Sequence, residues 1–247
     1  MRRRFFVERF DNCSATLRGD AAEHLGRVLR AEPGQLYELS DGETVWLSRI
    51  EEVGLLKRGE NRIEFALVER IETSEPALRL QLLIAIVKFD RFEWCLEKAT
   101  ELGVTEILPL AAERTDKALL DAAAKRHARW EKILIESAQQ SRRLRPPKLH
   151  AAVKPAPAFT QCQHGLGILL SERRDAPSLR QLLNSSASSV SRSASLAIGP
   201  EGGWTDAELS AARAAGFAEA SLGDLILRTE TAVISSLAIL RYTLDPA

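Results

Sequence analysis

The chain has 247 residues, 45% hydrophobic and 28% charged, with 34 Lys and Arg against 34 Asp and Glu. That length supports two modest domains or one large one, and the charge balance excludes attraction to a polyanion through net charge, leaving only local clusters. No apolar run approaches the roughly 20 residues of a membrane helix, and Phe5-Phe6-Val7 after Arg2, Arg3 and Arg4 is too short for a signal peptide. Cys13, Cys95 and Cys162 are odd in number and far apart, a poor disulfide framework, so the cytoplasm is the expected location.

In chain order, short strands are predicted over residues 5–10, 35–40, 44–53 and 61–71, the middle pair joined by the hairpin dipeptide Asp41-Gly42. A helix over 21–30 interrupts them, with Leu25, Val28 and Leu29 on its apolar side and His24, Arg27 and Arg30 on another. This reads as a small barrel or sandwich. The polar stretch 72–76 marks a domain boundary, giving domains at 1–72 and 73–247. Beyond it, apolar strands at 80–87, 106–111, 148–153, 166–170, 196–198 and 218–222 alternate with helices. Such alternation predicts an α/β domain whose largely parallel sheet carries helices on its faces.

Local signals punctuate the helices. Asp90 followed by Glu93 reads as an N-terminal cap of a helix running to Leu102, Gly103 as its C-terminal cap, and Thr205 followed by Glu208 as a second capping pair. A last helix is expected over 229–244, with the Thr229 hydroxyl capping its start. Residues 184–195 are serine-rich without periodicity, which predicts a mobile loop. Between Lys125 and Lys148, eight Lys and Arg, among them Arg142, Arg143 and Arg145, face only Glu131 and Glu136, a basic cluster suited to phosphates.

Two segments can carry chemistry. In Ala197-Ile198-Gly199-Pro200-Glu201-Gly202-Gly203-Trp204-Thr205 an apolar strand enters a loop with three glycines and then a capped helix. Glycines there let backbone groups approach a ligand closely; a plain strand-to-helix turn is the structural alternative. Neither GxGxxG nor GxxxxGK[ST] occurs, which disfavours nicotinamide and ATP chemistry. The second segment is Leu222-Gly223-Asp224-Leu225-Ile226-Leu227-Arg228-Thr229-Glu230-Thr231-Ala232. Arg228 and Glu230 flank Thr229 there; taken plainly they are a surface ion pair. Both loops follow strands, where open α/β sheets bind ligands. His24, His127, His150 and His164 show no metal-ligand spacing, so no metal is expected. Cys95 lies beside Trp94 with no His or Asp at useful spacing and reads as a buried inert thiol, not a nucleophile.

These segments resemble the ribosomal RNA small subunit methyltransferase E family of the SPOUT superfamily. Further matching stretches are Lys88-Phe89-Asp90-Arg91-Phe92-Glu93-Trp94, Glu97-Lys98-Ala99-Thr100-Glu101-Leu102-Gly103-Val104, Glu113-Arg114, Glu136-Ser137-Ala138-Gln139-Gln140-Ser141-Arg142-Arg143 and His24-Leu25-Gly26-Arg27-Val28-Leu29-Arg30. The resemblance covers nearly the whole chain except the serine-rich loop. It departs at Trp204, where Phe is frequent, and at Thr115, where Ser is common.

The resemblance implies a PUA-like N-terminal β-barrel, a C-terminal parallel sheet with a trefoil knot, S-adenosylmethionine as cofactor, and a homodimer. It implies methylation of N3 of a uridine in 16S ribosomal RNA, the small ribosomal subunit being the partner. The implied cofactor contacts are Leu170, Ile198, Gly199, Gly202, Gly203, Leu222, Gly223, Ile226, Leu227 and Thr229. Arg228 is the candidate to stabilise a uracil anion, being charged at any working pH, and Glu230 to orient it or accept the N3 proton. RNA contacts are expected from His24, Arg27 and Arg30, from Arg91 and Arg114 near the sheet edge, and from Arg142, Arg143 and Arg145; His24 either stacks on a base or caps its helix. Two alternatives remain: a SPOUT enzyme acting on another RNA, and a non-catalytic RNA-binding assembly factor, which the intact glycines, Arg228 and Glu230 disfavour.

Overall fold

A computed structural model describes residues 3–55, 61–73, 76–162, 165–186 and 192–245. Arg2, His164, residues 74–75 of the expected boundary and residues 187–191 of the serine-rich stretch lie outside the described residues. The chain divides into two units, Met1–Glu75 with Ala138–Pro146, and Pro76–Ser137 with Pro147–Ala247.

The first unit is built on a five-stranded sheet ordered β1-β3-β4-β5-β2. Its strands are β1 (Arg4–Phe6), β2 (Ser14–Arg18), β3 (Leu36–Ser40), β4 (Val45–Gly54) and β5 (Arg62–Ile71). β1 runs parallel to β3, and the other neighbours are antiparallel. The hairpin forms where Asp41-Gly42 predicts it: Asp41 Oδ1 accepts the N–H groups of Glu43 (2.9 Å) and Thr44 (2.7 Å), and Gly42 takes φ +91°. Register shifts after Leu47 and Ile50 let the long β4–β5 pair bend. β2 is a strand that the sequence pattern does not announce. Only Ala15 and Leu17 of its five residues are buried, too few alternations to stand out.

The expected helix over 21–30 is corrected. The chain forms α1 (Gly19–Glu23) and then a π-helical turn, His24–Val28. Ala22 and Leu25 are buried, so a continuing α-helix would bury Leu29 four residues on. The wider π-turn rotates that face away, leaving Val28 and Leu29 exposed (65% and 37%) where packing is expected. Gly26, within this turn, packs against Leu55, whose side-chain tip a Cβ would meet at 2.8 Å.

Within this unit a buried ion pair and two hydrogen bonds tie the sheet to the Ala138–Pro146 segment. Arg4 Nη2 lies 2.9 Å from Glu38 Oε2, with side chains only 8% and 10% exposed. Arg4 Nη1 also donates to the Arg142 carbonyl at 2.7 Å, and Ser40 Oγ to that of Leu144 at 2.7 Å.

The second unit is a six-stranded, entirely parallel sheet ordered β11-β9-β10-β6-β7-β8. Its strands are β6 (Arg79–Ala85), β7 (Val104–Leu110), β8 (Lys148–Leu149), β9 (Leu166–Leu170), β10 (Ser193–Ile198) and β11 (Phe217–Ala220). Parallel strands need cover on both faces, and alternate residues of β6 show it. Leu80, Leu82 and Ile84 join a core with α2 (Phe89–Glu101), α3 (Lys117–Gln140), α5 (Leu179–Ser186) and α7 (Thr229–Leu244). Leu83 and Ala85 face the other way, onto α4 (Pro155–Gln161) and α6 (Asp206–Ala214).

Strand bounds shift, the expected 5–10 shortening to Arg4–Phe6 and 148–153 to Lys148–Leu149, and three helix and loop expectations change as well. α2 starts at Phe89 with Lys88 as N-cap and no side-chain cap, so Asp90 sits inside the first turn and acts through its charge. At α7 the N-cap is Arg228 and the Thr229 side chain does not cap. Of the expected loop 184–195, residues 184–186 close α5 and 193–195 open β10. Gly103 at φ +86° does end α2 as expected, and the Thr205–Glu208 capping box is complete.

Glu38→Ala leaves the Arg4 charge buried without its carboxylate. It should lower the unfolding free energy by about 3 kcal/mol, read as a fall in the urea midpoint with unchanged slope, while Glu38→Gln should lose less.

Candidate functional site

The carboxyl ends of β9 and β10, the chain after β11 and the start of α7 surround a cavity of about 900 Å³. Its position follows from the sheet. Both faces are sealed by helices, so backbone and polar groups collect where strands end. All of Leu170, Ile198, Gly199, Gly202, Gly203, Leu222, Gly223, Ile226, Leu227 and Thr229 line it.

The glycine loop is shaped by what its glycines omit. A Cβ on Gly199 would stand 2.9 Å from Trp204 Cε2, and one on Gly202 would stand 3.2 Å from Arg114 Cβ. Gly203 and Gly223 hold φ of +71° and +114°, which side chains resist. Beyond the loop, Glu208 uses both carboxylate oxygens. Oε2 accepts the Thr205 N–H at 2.9 Å, closing the capping box, and Oε1 accepts the Glu113 N–H at 2.9 Å, tying the chain after β7 to the start of α6.

Arg91 and Arg114, expected near the sheet edge as RNA contacts, both line the cavity. Arg91 pairs with Glu201, and Arg114 Nη1 donates to the Gly202 carbonyl at 2.8 Å. Arg228 also lines it, exposed at the N-cap of α7. Glu230 does not belong to the cavity wall. Its Oε2 is buried with no hydrogen-bond partner among the described residues, and it lies near enough to Cys95 for its charge to raise that thiol's pKa.

The remaining expected RNA contacts belong to the first unit. His24 Nε2 is 3.3 Å from Arg3 Nη1, and it is the His24 backbone N–H, not its ring, that caps α1. Arg27 pairs with Glu23 at 3.2 Å, and Arg30 is exposed at φ +52°. Arg142 takes φ +56° and lies 3.9 Å from Glu38, with Arg143 and Arg145 following in the clasped segment.

Sequence reasoning does not single out the charged stretch Ser171-Glu172-Arg173, which also lines the cavity. Arg173 makes a double contact with Asp175, both at 3.2 Å, and lies 3.8 Å from Glu219 of β11. Its one signal is the run Ser171-Glu172-Arg173-Arg174-Asp175 directly after an apolar strand. Among the described residues, no group of three His, Cys, Asp or Glu could hold a metal ion, and no helix is long and apolar enough to cross a membrane.

Residues 74–241 match the RNA methyltransferase domain family. The ribosomal RNA small subunit methyltransferase E of Synechocystis sp. is 35% identical over 243 residues, 96% of this chain and 76% of that protein. The chain belongs to the ribosomal RNA small subunit methyltransferase E family. The Bacillus subtilis member is 31% identical over 69% of this chain and 68% of its own length. The crystal structure of the Neisseria gonorrhoeae member, bound to S-adenosyl methionine, superposes with a TM-score of 0.83 at 30% identity over 98% of both chains.

Cys95 and Cys162 take no part in the cavity wall. Burial first, then the Glu230 carboxylate, pushes the Cys95 thiol up to about 12, and burial pushes Cys162 up to about 11. At pH 8 the thiolate fraction of Cys95 is then about one in ten thousand. Native protein mixed with a chromogenic disulfide reagent at pH 8 should release one equivalent quickly, from exposed Cys13. The other two should react only on unfolding.

Proposed function

We propose that this enzyme methylates N3 of a uridine in the 16S ribosomal RNA of the small ribosomal subunit, using S-adenosylmethionine. Membership of the family makes it a ribosomal RNA methyltransferase. The observation that carries the reading is that every residue assigned to cofactor from the motifs, together with Arg228, lines one cavity. The cavity fits the cofactor. Its volume of about 900 Å³ suits a small molecule, its glycine loop offers backbone groups, and Leu225 and Ile226, each 81% exposed, give apolar surface for a ligand to cover.

When bound, S-adenosylmethionine supplies an electrophilic methyl group on a sulfonium. The chain's own task is to orient the nucleophile and exclude water. Uracil N3 is a poor nucleophile until its proton leaves, so the site must stabilise negative charge on the base. Arg228, exposed on the cavity wall, is assigned that role: a guanidinium cannot act as the base but donates to a uracil oxygen as charge develops. Glu230, two residues on in α7, is assigned to orient Arg228 or to accept the N3 proton.

The RNA is gripped by His24, Arg27, Arg30, Arg142, Arg143 and Arg145 of the first unit and by Arg91 and Arg114 beside the cavity. A paired base is out of reach, so the target is received unstacked or flipped out. In this reading residues 1–72 are the PUA-like RNA-binding barrel. Residues 73–247 are the catalytic domain, its final segments forming the trefoil knot and pairing two subunits. The substrate puts the enzyme in the cytoplasm.

Small subunits from a strain lacking this protein, incubated with it and methyl-labelled cofactor, should yield labelled 3-methyluridine on nucleoside analysis. Another methylated nucleoside would move the target, and absence of transfer to subunits, free RNA or transfer RNA would overturn the catalytic reading. Arg228→Ala should lower kcat at least a hundredfold, the scale of losing one transition-state donor, with cofactor affinity within a few fold by calorimetry.

A further inference from the structure

Trp204 stands at the junction of the glycine loop and α6, and its indole makes a contact that the packing of a core aromatic does not require. Nε1–H donates to the carbonyl of Leu170 at 2.8 Å, in a buried environment. Leu170 is the last residue of β9, in register with Ile198 of β10 and Ala220 of β11. The carbonyl lies at the strand end, and Leu170, Ile198, Gly199 and Trp204 all line the cavity.

The ring is closely packed. Gly199 packs so closely that a Cβ would lie 2.9 Å from Cε2 and 3.0 Å from Nε1, so the missing side chain and the indole occupy one space. Phe159 of α4 meets the ring edge-on at 5.9 Å. Trp204 and Leu209 occupy the positions just before the Thr205 cap and four residues into α6, the two ends of a hydrophobic staple, and share one core cluster. Phenylalanine would satisfy the staple and the edge-on contact. Only the N–H needs tryptophan.

We propose that Trp204 is a positioning residue of the cofactor cavity, its N–H fixing the end of β9 against the glycine loop so that cofactor binding depends on it. This rests on the cavity being the S-adenosylmethionine site. Losing one buried neutral hydrogen bond then shows as weaker cofactor binding, because both walls it joins must be in place before the ligand arrives.

Trp204→Phe keeps the ring and removes the donor. Phe159→Leu is the control, loosening the packing behind the indole while leaving the hydrogen bond. Calorimetry with S-adenosylhomocysteine gives Kd, thermal melting gives stability, and methyl transfer to small subunits gives KM and kcat. Trp204→Phe should raise Kd and the cofactor KM about tenfold, the equivalent of 1.4 kcal/mol, with kcat falling much less. Phe159→Leu should lower the melting temperature at least as far with Kd within twofold of wild type. An unchanged Kd in Trp204→Phe, or an equal rise in Phe159→Leu, overturns the inference and reduces Trp204 to packing. Absence of binding by the wild-type protein overturns the cofactor reading itself, and this inference with it.

Discussion

A parallel strand covered by helices on both faces has no free side on which to do chemistry. In the second unit β6 alternates between two cores from Leu82 to Ala85, and the ends of β9 (residues 168–170) and β10 (residues 196–198) do the same. Backbone groups along these strands are spent on their neighbours, so groups able to meet a ligand appear only where the ladder stops. The cavity is a consequence of that exhaustion. It opens where β9 and β10 end, and its walls are the segments that carry the chain away from those ends.

The same constraint explains why glycine, and not a particular side chain, marks the site. Gly199 and Gly202 leave room for an indole and an arginine stem that any side chain would displace. The polar groups that converge there are held by neighbours: Arg91 by Glu201, Arg114 by the Gly202 carbonyl, Arg173 by Asp175. Arg228, at the N-cap of α7, contributes charge directly at the cavity wall.

Features set by near neighbours along the chain are legible in the residues alone. The Thr205–Glu208 box needs residues three apart, β9 is an unbroken apolar run, and α7 has the bounds its pattern predicts. Features set by distant partners are not. The Trp204 to Leu170 bond spans 34 residues and the Glu113 to Glu208 bond 95, and neither leaves a local pattern. The π-turn escapes for another reason: Ala22, Leu25 and Leu29 do have helical spacing, and one wider turn defeats the extrapolation. At the site, the motifs locate the glycine loop and the Arg228 segment, while the charged stretch after β9 has nothing in its composition to distinguish it from ordinary surface charge.

The clasp between Arg4 and Arg142 carries a consequence for the order of assembly. Arg4 and Ser40 make hydrogen bonds to carbonyls of Arg142 and Leu144, partners 138 and 104 residues away. During synthesis, which proceeds from the N-terminus, all five strands of the first sheet leave the ribosome well before those carbonyls exist. Until the chain after α3 emerges, those two hydrogen bonds cannot form, whereas the Arg4–Glu38 pair lies within the early strands. The first unit, though begun first, is therefore finished only once residues 142–144 are made, after β6 and β7 of the second sheet have already emerged.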